Sequence, residues 1–332
     1  MNREKVLFVH ISESLMPWDR KDMEYLRGQY TVRPFFYGGR KDVLRLFASA
    51  LDVDLVFCSF AWDNAFWGVQ CARVRKIPSV VAVSGFDVVN MPEINYGNLI
   101  RPNPARRTAW SIRKATKVFA VSNSLKVDAM DASGRDEISV VYHGFDSEAF
   151  FPSHQKADQL LTIAAVNGTT LRRKGLSTFA RTSKLLPTLP FLLAGSLEDR
   201  LAADALRSVG GPNLTLTGEL PQNRLIDLLA DTRVFVQPSA HEGFGCALAE
   251  AMLSECVPVV TDRGAIPEVV GDCGVYVRFD DPEDTVRGIR EAFERPELGK
   301  RARRRVQEKF PWEKRRDGVL GLAREALEEY RG

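Results

Sequence analysis

No run of about 18 apolar residues occurs anywhere in this 332-residue sequence, so no membrane-spanning helix is expected. The start, Met1 to His10, is charged and then apolar for only a few residues. It lacks the long apolar stretch and small-residue cleavage site of a secretory leader. Cysteine is sparse: Cys58, Cys71, Cys246, Cys256 and Cys273, an odd number with no CxxC pair. That usage excludes a disulfide scaffold and fits reduced thiols in the cytoplasm. The four histidines (His10, His143, His154, His241) are scattered, and no paired aspartates close a strand. Metal-ligand spacing is therefore missing, and neither a metal nor another cofactor is expected. The excess of one charge is small, 46 basic against 43 acidic residues, or +3. This excludes a surface built throughout to grip nucleic acid.

What is present is an alternation of short apolar runs and helix-length segments. Strands are expected at 6–10, 31–36, 54–59, 79–84, 118–122 and 138–142, then at 160–166, 190–194, 213–216, 234–237, 257–260 and 275–277. Several are near-continuous runs of Val, Ile, Leu and Phe, as strands buried on both faces should be. Helices are expected between them, among them 40–50, 63–76, 104–117, 175–186 and 245–255. This alternation predicts an α/β fold with parallel sheets covered on both faces. A break at Phe150-Phe151-Pro152 divides the chain into 1–152 and 153–311, two doubly wound domains with a ligand cleft expected between them. A weak internal echo links the strand–helix–strand unit at 54–81 to the one at 233–260. Ligands of such sheets bind beyond the carboxyl ends of the strands, which directs attention to the loops there.

The most informative of these is Gln237-Pro238-Ser239-Ala240-His241-Glu242-Gly243-Phe244-Gly245, which leads into a helix carrying Glu250. The first N–H groups of a helix lack intrahelical partners and lie at the positive end of its dipole, a ready phosphate site. Gly243 and Gly245 let a ligand approach the backbone closely. Glu242 and Glu250, with seven residues between them, place a loop carboxylate and a helix carboxylate beside that site. An ionised acid accepts bonds from sugar or ribose hydroxyls. A second loop, Asn167-Gly168-Thr169-Thr170-Leu171-Arg172-Arg173-Lys174-Gly175, gathers three cations suited to a diphosphate. A third, Gly85-Phe86-Asp87, supplies a carboxylate that either accepts a bond from a sugar or acceptor, or caps the following turn.

The Glu242–Glu250 pattern resembles the E-x7-E motif of retaining family 4 glycosyltransferases. The surrounding residues support the likeness: Pro258-Val259-Val260, Gly264, Ile266-Pro267-Glu268, Val118 to Ser124, Tyr142 to Asp146, and Phe310-Pro311-Trp312-Glu313. The resemblance implies a GT-B fold, two Rossmann-like domains about a central cleft, with a closing helix at about 312–332 returning to the N-terminal domain. It implies transfer of a sugar from a UDP- or GDP-sugar, with retained anomeric configuration, to an acceptor hydroxyl on a glycan, lipid-linked or small molecule. Glu250 would hold the donor ribose. Glu242 would contact the donor sugar and stabilise charge at its anomeric carbon. The amides of Phe244 and Gly245 would bind the diphosphate or the sugar. Lys174 would meet the leaving group, aided by Gly168 and by either Arg172 or Arg173, since Thr169 stands where the family carries its arginine. The donor base would rest near Ser196 and the 218–221 turn, which includes Leu220. Asp87 would act near the donor or acceptor.

Two departures stand out. Ser84 occupies the place of a common histidine, and the first loop, Ile11 to Trp18, has no glycine pair; Gly38-Gly39 follows the second strand instead. They keep open a catalytically silent scaffold of the same fold. A dinucleotide-dependent oxidoreductase fits less well, because Gly243-Phe244-Gly245 lacks the third glycine of that fingerprint. The basic segment Arg101 to Lys117 suits either peripheral contact with an anionic membrane at its inner face or a solvated helix surface. Arg301 to Arg305 reads as solvated. The aromatics of Phe57 to Trp67 read as core and cleft lining; no nucleic-acid partner is expected.

Overall fold

A computed structural model describes residues 3–331. Its contacts divide the chain into two units. One runs to Gly144 and resumes at Trp312, and the other spans Phe145–Pro311. The division thus precedes the Phe-Phe-Pro break. Phe145 stacks on Phe244 and its N–H donates to the Phe310 carbonyl, which ties 145–152 to the second unit.

In the first unit, β1 (Lys5–His10), β2 (Thr31–Phe36), β3 (Leu55–Ser59), β4 (Ser79–Val83), β5 (Lys117–Ala120) and β6 (Ser139–Val140) form one sheet in the order β2-β1-β3-β4-β5-β6. Every pairing is parallel. β3 and β4 are wholly buried, as their unbroken apolar runs require. β2 carries Pro34, which an edge strand tolerates because only one side needs ladder donors. Helix Trp312–Arg331 completes this unit: Val319, Leu322, Ala323, Ala326 and Leu327 join Val6, Phe8, Phe57 and Phe119 in one core.

The second unit contains β7 (Ala157–Ile163), β8 (Phe191–Ala194), β9 (Leu214–Gly218), β10 (Thr232–Gln237), β11 (Val257–Val260) and β12 (Val275–Tyr276), ordered β12-β11-β10-β7-β8-β9. The strand order reverses between β7 and β10 here, and between β1 and β3 in the first unit. Such reversal points are where doubly wound sheets open a crevice at their carboxyl ends. The internal echo falls into place on this basis. β3-helix-β4 and β10-helix-β11 are each the first crossover beyond the reversal point.

The two crevices differ. In the first unit it is filled by the chain itself: His10 at the end of β1, Ser59 at the end of β3, and Asp19 from helix Pro17–Gln29 are all buried. Ser59 donates to Asp19, and His10 Nε2 lies 3.3 Å from the same carboxylate. Asn64 donates to the Ser59 carbonyl at 2.6 Å and holds the strand end. In the second unit the crevice receives the loops that carry the candidate residues.

Candidate active site

The loop after β7 is not irregular as expected. Residues Gly168–Arg173 form a six-residue helix. Asn167 caps it, accepting from the N–H groups of Thr169 (3.1 Å) and Thr170 (3.0 Å), while Thr170 Oγ1 accepts from the Asn167 N–H at 3.0 Å. This reciprocal cap offsets the poor stability of so short a helix. Its last turn projects the cations, and Lys174 follows as the C-terminal cap.

Gly175 then adopts φ +65°, and a Cβ there would sit 2.0 Å from the Pro238 carbonyl oxygen. Only glycine lets the two loops approach this closely. The Ala240 N–H donates to the Arg173 carbonyl at 2.7 Å and joins them.

That joint brings the charges together. Glu242 is 5 % exposed. Its Oε1 lies 2.7 Å from Lys174 Nζ and accepts from Ser239 Oγ at 2.9 Å; its Oε2 lies 3.5 Å from Arg173 Nη1. Burial alone would push the Glu242 carboxyl up. Lys174, Arg173 and the Ser239 hydroxyl outweigh it and hold the group below the ordinary carboxylate range. Burial in turn lowers the Lys174 ammonium, partly offset by Glu242. Arg173 is thus the arginine brought to the acid, whereas Arg172 points to solvent.

Three supports of Glu242 lie outside the sequence pattern's reach. Ser239 is one. Thr261 is another, donating from Oγ1 to the Ser239 carbonyl at 2.6 Å. The third is the Gly264-Ala265 turn: the Ala265 N–H donates to the Glu242 carbonyl at 2.9 Å, and a Cβ on Gly264 would sit 2.6 Å from that oxygen. Ser239 stands in the loop of Glu242 and Gly264 in the turn beyond β11, so the sequence places both without showing what they hold, and Thr261 carries no such signal.

Gly245 has φ +102° and caps helix Cys246–Leu253. Phe244 is buried between Phe145 and Phe310, so its ring anchors the loop rather than facing a ligand. Gly243 is half-buried beside it. One turn and more into the helix, Glu250 meets no cation or side-chain donor among the described residues. Burial pushes its carboxyl up to about 7. The two glutamates are therefore in opposite electrostatic states: one is compensated twice over and the other not at all.

The remaining candidates are dispersed. Gly168 opens the short helix. Ser196, beyond β8, donates to Glu198 Oε1 at 3.1 Å. Leu220 lines a cavity of about 470 Å³ with Thr217, Arg224 and Phe151. Asp87 belongs to the first unit, fully buried, with Oδ2 accepting the Ser84 N–H at 2.8 Å. That contact closes the preceding turn rather than capping the following one, and burial drives its carboxyl up to about 7.

Among the described residues no three His, Cys, Asp or Glu side chains cluster as metal ligands would. No helix among them is long and apolar enough to cross a membrane. In the basic segment, Arg107 pairs with Asp63 and Lys117 with Glu329, leaving Arg101, Arg106, Arg113 and Lys114 exposed.

Comparison with known proteins bears on the whole chain. A family model described as "Glycosyl transferases group 1" matches residues 146–309, and one described as "Glycosyltransferase Family 4" matches 19–149. Among curated relatives, the alpha-maltose-1-phosphate synthase of Mycolicibacterium smegmatis is 28% identical over 309 residues, 82% of this chain and 78% of that protein. The lipopolysaccharide core biosynthesis mannosyltransferase LpcC of Rhizobium leguminosarum is 27% identical over 239 residues, 64% of this chain and 65% of that one. Among solved structures, sucrose-phosphate synthase from Thermosynechococcus elongatus superposes with a TM-score of 0.79 at 16% identity, covering 98% of this chain and 100% of that one. Anabaena HepE, in complex with UDP and glucose, gives 0.78 at 16% identity, with 99% of each chain covered.

Proposed function

Because the chain belongs to glycosyltransferase family 4 and has the GT-B type of fold, we propose that it moves a sugar from a nucleoside diphosphate donor to an acceptor hydroxyl with retention at the anomeric carbon. The observation that carries this reading is the contrast between Glu242 and Glu250. A diphosphate needs cations and backbone donors at the positive end of a helix dipole, which Lys174, Arg173 and the start of helix Cys246–Leu253 offer. A ribose needs an acceptor of two hydroxyl bonds, and Glu250 has that capacity unspent. UDP is the first nucleotide to test because HepE is complexed with it; GDP is the second.

In this reading the bond from the anomeric carbon to the phosphate oxygen breaks as the acceptor oxygen attacks the same face. The acceptor proton passes to the departing phosphate. Lys174 and Arg173 stabilise the charge that builds on the diphosphate, and ionised Glu242 stabilises the positive charge at the sugar. These cations do the work a metal would otherwise share, so we expect full turnover after treatment with a chelator. Loss of activity restored by a divalent cation would refute that part. Peripheral membrane contact made through helix Pro102–Lys114 would rest on its exposed Arg106, Arg113 and Lys114, with Arg101 just before it.

Glu250→Gln tests the donor assignment by calorimetry. Hydrogen bonds to a charged group contribute about 1.5–3 kcal/mol, so UDP affinity at pH 8 should fall roughly 10- to 100-fold. The pH dependence has a definite sign. Burial places the Glu250 carboxyl at about 7 in the free protein, and only its ionised form offers both oxygens as acceptors, one for each ribose hydroxyl. The affinity of the native protein relative to Glu250→Gln should therefore rise about tenfold per pH unit towards 7 and flatten above it. A ratio constant across this range would remove Glu250 from the ribose.

A further inference from the structure

The Gly38-Gly39 pair, which donor binding leaves unexplained, borders a pocket of about 550 Å³ in the first unit. It lies where β1 and β2 end, between the Ile11-Ser12-Glu13 loop and the turn from Tyr37 to Arg45. The crevice at the reversal point of this sheet is closed by His10, Asp19 and Ser59. The pocket opens one strand away, still at the carboxyl end of the sheet.

Its chemistry is asymmetric. Asp42 is buried and spent: Oδ2 accepts the Gly38 N–H at 2.8 Å and Oδ1 accepts from Arg45 Nη1 at 3.0 Å. The same arginine, largely exposed, also lies 5.8 Å from the centre of the Phe35 ring at the pocket's rim. Gly39, at φ +138°, lets the chain turn sharply into Arg40 and Lys41. Lys41 lines the pocket and Arg40 adjoins it, and neither has an acid partner among the described residues. The Tyr37 hydroxyl, buried in the same wall, has no hydrogen-bond partner among them either. The one other acid of the lining, Glu13, is exposed and free to accept hydroxyls. Lys41 in the lining and Arg40 next to it in the chain, both without an acid partner among the described residues, together with Arg45 at the rim and a carboxylate already spent, suit an anion, and the volume suits a monosaccharide-sized body.

We propose that this pocket seats an anionic group of the acceptor, a phosphate or carboxylate on a hydroxylated body. The inference rests on the glycosyl-transfer reading, because it assigns the bound molecule as acceptor. The group has two sources, a soluble sugar acid or phosphate and a lipid headgroup.

The test titrates the full chain, saturated with UDP, with a hexose, the same hexose as its phosphate, the corresponding hexuronate, and vesicles of phosphatidylglycerol or phosphatidylcholine. One soluble anion should bind at least about tenfold tighter than the neutral hexose, and Arg40→Gln with Lys41→Gln should abolish that preference. Binding to phosphatidylglycerol vesicles only, lost in the same variant, would support the proposal with a lipid as the source. Equal binding of neutral and anionic hexoses without vesicle binding, or a preference that survives in the variant, would overturn it. Both replaced side chains are exposed, so the fold should be kept, which UDP affinity reports independently. Failure of the native protein to bind any nucleotide would instead indict the glycosyl-transfer reading.

Discussion

Lys174→Met should lower kcat by about 10²- to 10³-fold while UDP affinity falls much less, the size expected when one charge-stabilising group is lost from a preorganised site. The replaced ammonium does two things. It is the nearest cation to Glu242, at 2.7 Å, and it stands where the leaving diphosphate is proposed to gain charge. Removing it leaves Glu242 buried with Arg173 at 3.5 Å as its remaining cation. Burial then acts with less opposition, so the Glu242 carboxyl should rise, and the residual activity should climb with pH across the range in which that acid ionises. Single-turnover rates with saturating donor measure both effects. A kcat within about twofold of the native value, against that expectation, would strip Lys174 of the leaving-group role.

Arg315→Met should destabilise the protein by about 3–5 kcal/mol, the usual penalty for stranding half of a buried ion pair. Arg315 is 4 % exposed and grips Asp22 with two bonds, Nε to Oδ1 at 2.9 Å and Nη2 to Oδ2 at 2.6 Å. Its third donor goes to the Val141 carbonyl at 2.6 Å, and its guanidinium lies 5.0 Å from the centre of the Phe119 ring. Asp22 shows how costly the site is: burial, helped by the Asp19 charge, raises its carboxyl against the pull of Arg315. The double change Asp22→Leu with Arg315→Met should recover most of the loss, since no charge then remains to be desolvated. Denaturant titration of the three variants decides the matter. A single-variant loss below about 1 kcal/mol would mean that water reaches the orphaned Asp22.

The strands were legible because burial on both faces leaves a signature that needs no context. β2 and β11 fall at the expected residues, and the other ten within a few. β7 is the widest miss, at 157–163 instead of 160–166. It begins in polar Asp158 and Gln159, recruited by pairing with β10, while Val166 leaves the strand to bridge Leu197. The helix at 168–173 was not legible, since six residues show no apolar period and its stability lies in the Asn167 cap. In the site, Glu242, Lys174 and Glu250 could be named from spacing and resemblance. The choice between Arg172 and Arg173 could not, because it depends on which side of that short helix faces Glu242. Thr261 and the Gly264-Ala265 turn act through contacts between segments distant in sequence, which no local pattern displays, and Ser239 acts within the loop, where a serine three residues before the acid is not by itself a signal.

The pairing of Asp22 with Arg315 spans 293 residues. During synthesis the first sheet is made early, yet helix Trp312–Arg331, which covers one of its faces, is made only after the whole second unit. The second unit is contiguous and has all its strands by residue 276. The usual N-to-C order of domain completion is therefore inverted here. Until that helix emerges, the nascent first unit exposes the surface of Val6, Phe8 and Phe57 and keeps Asp22 without its cation. Loss of helix Trp312–Arg331 should thus cripple the unit whose strands lie farthest from the cut in sequence, and a stop near residue 311 is a folding lesion of the first unit.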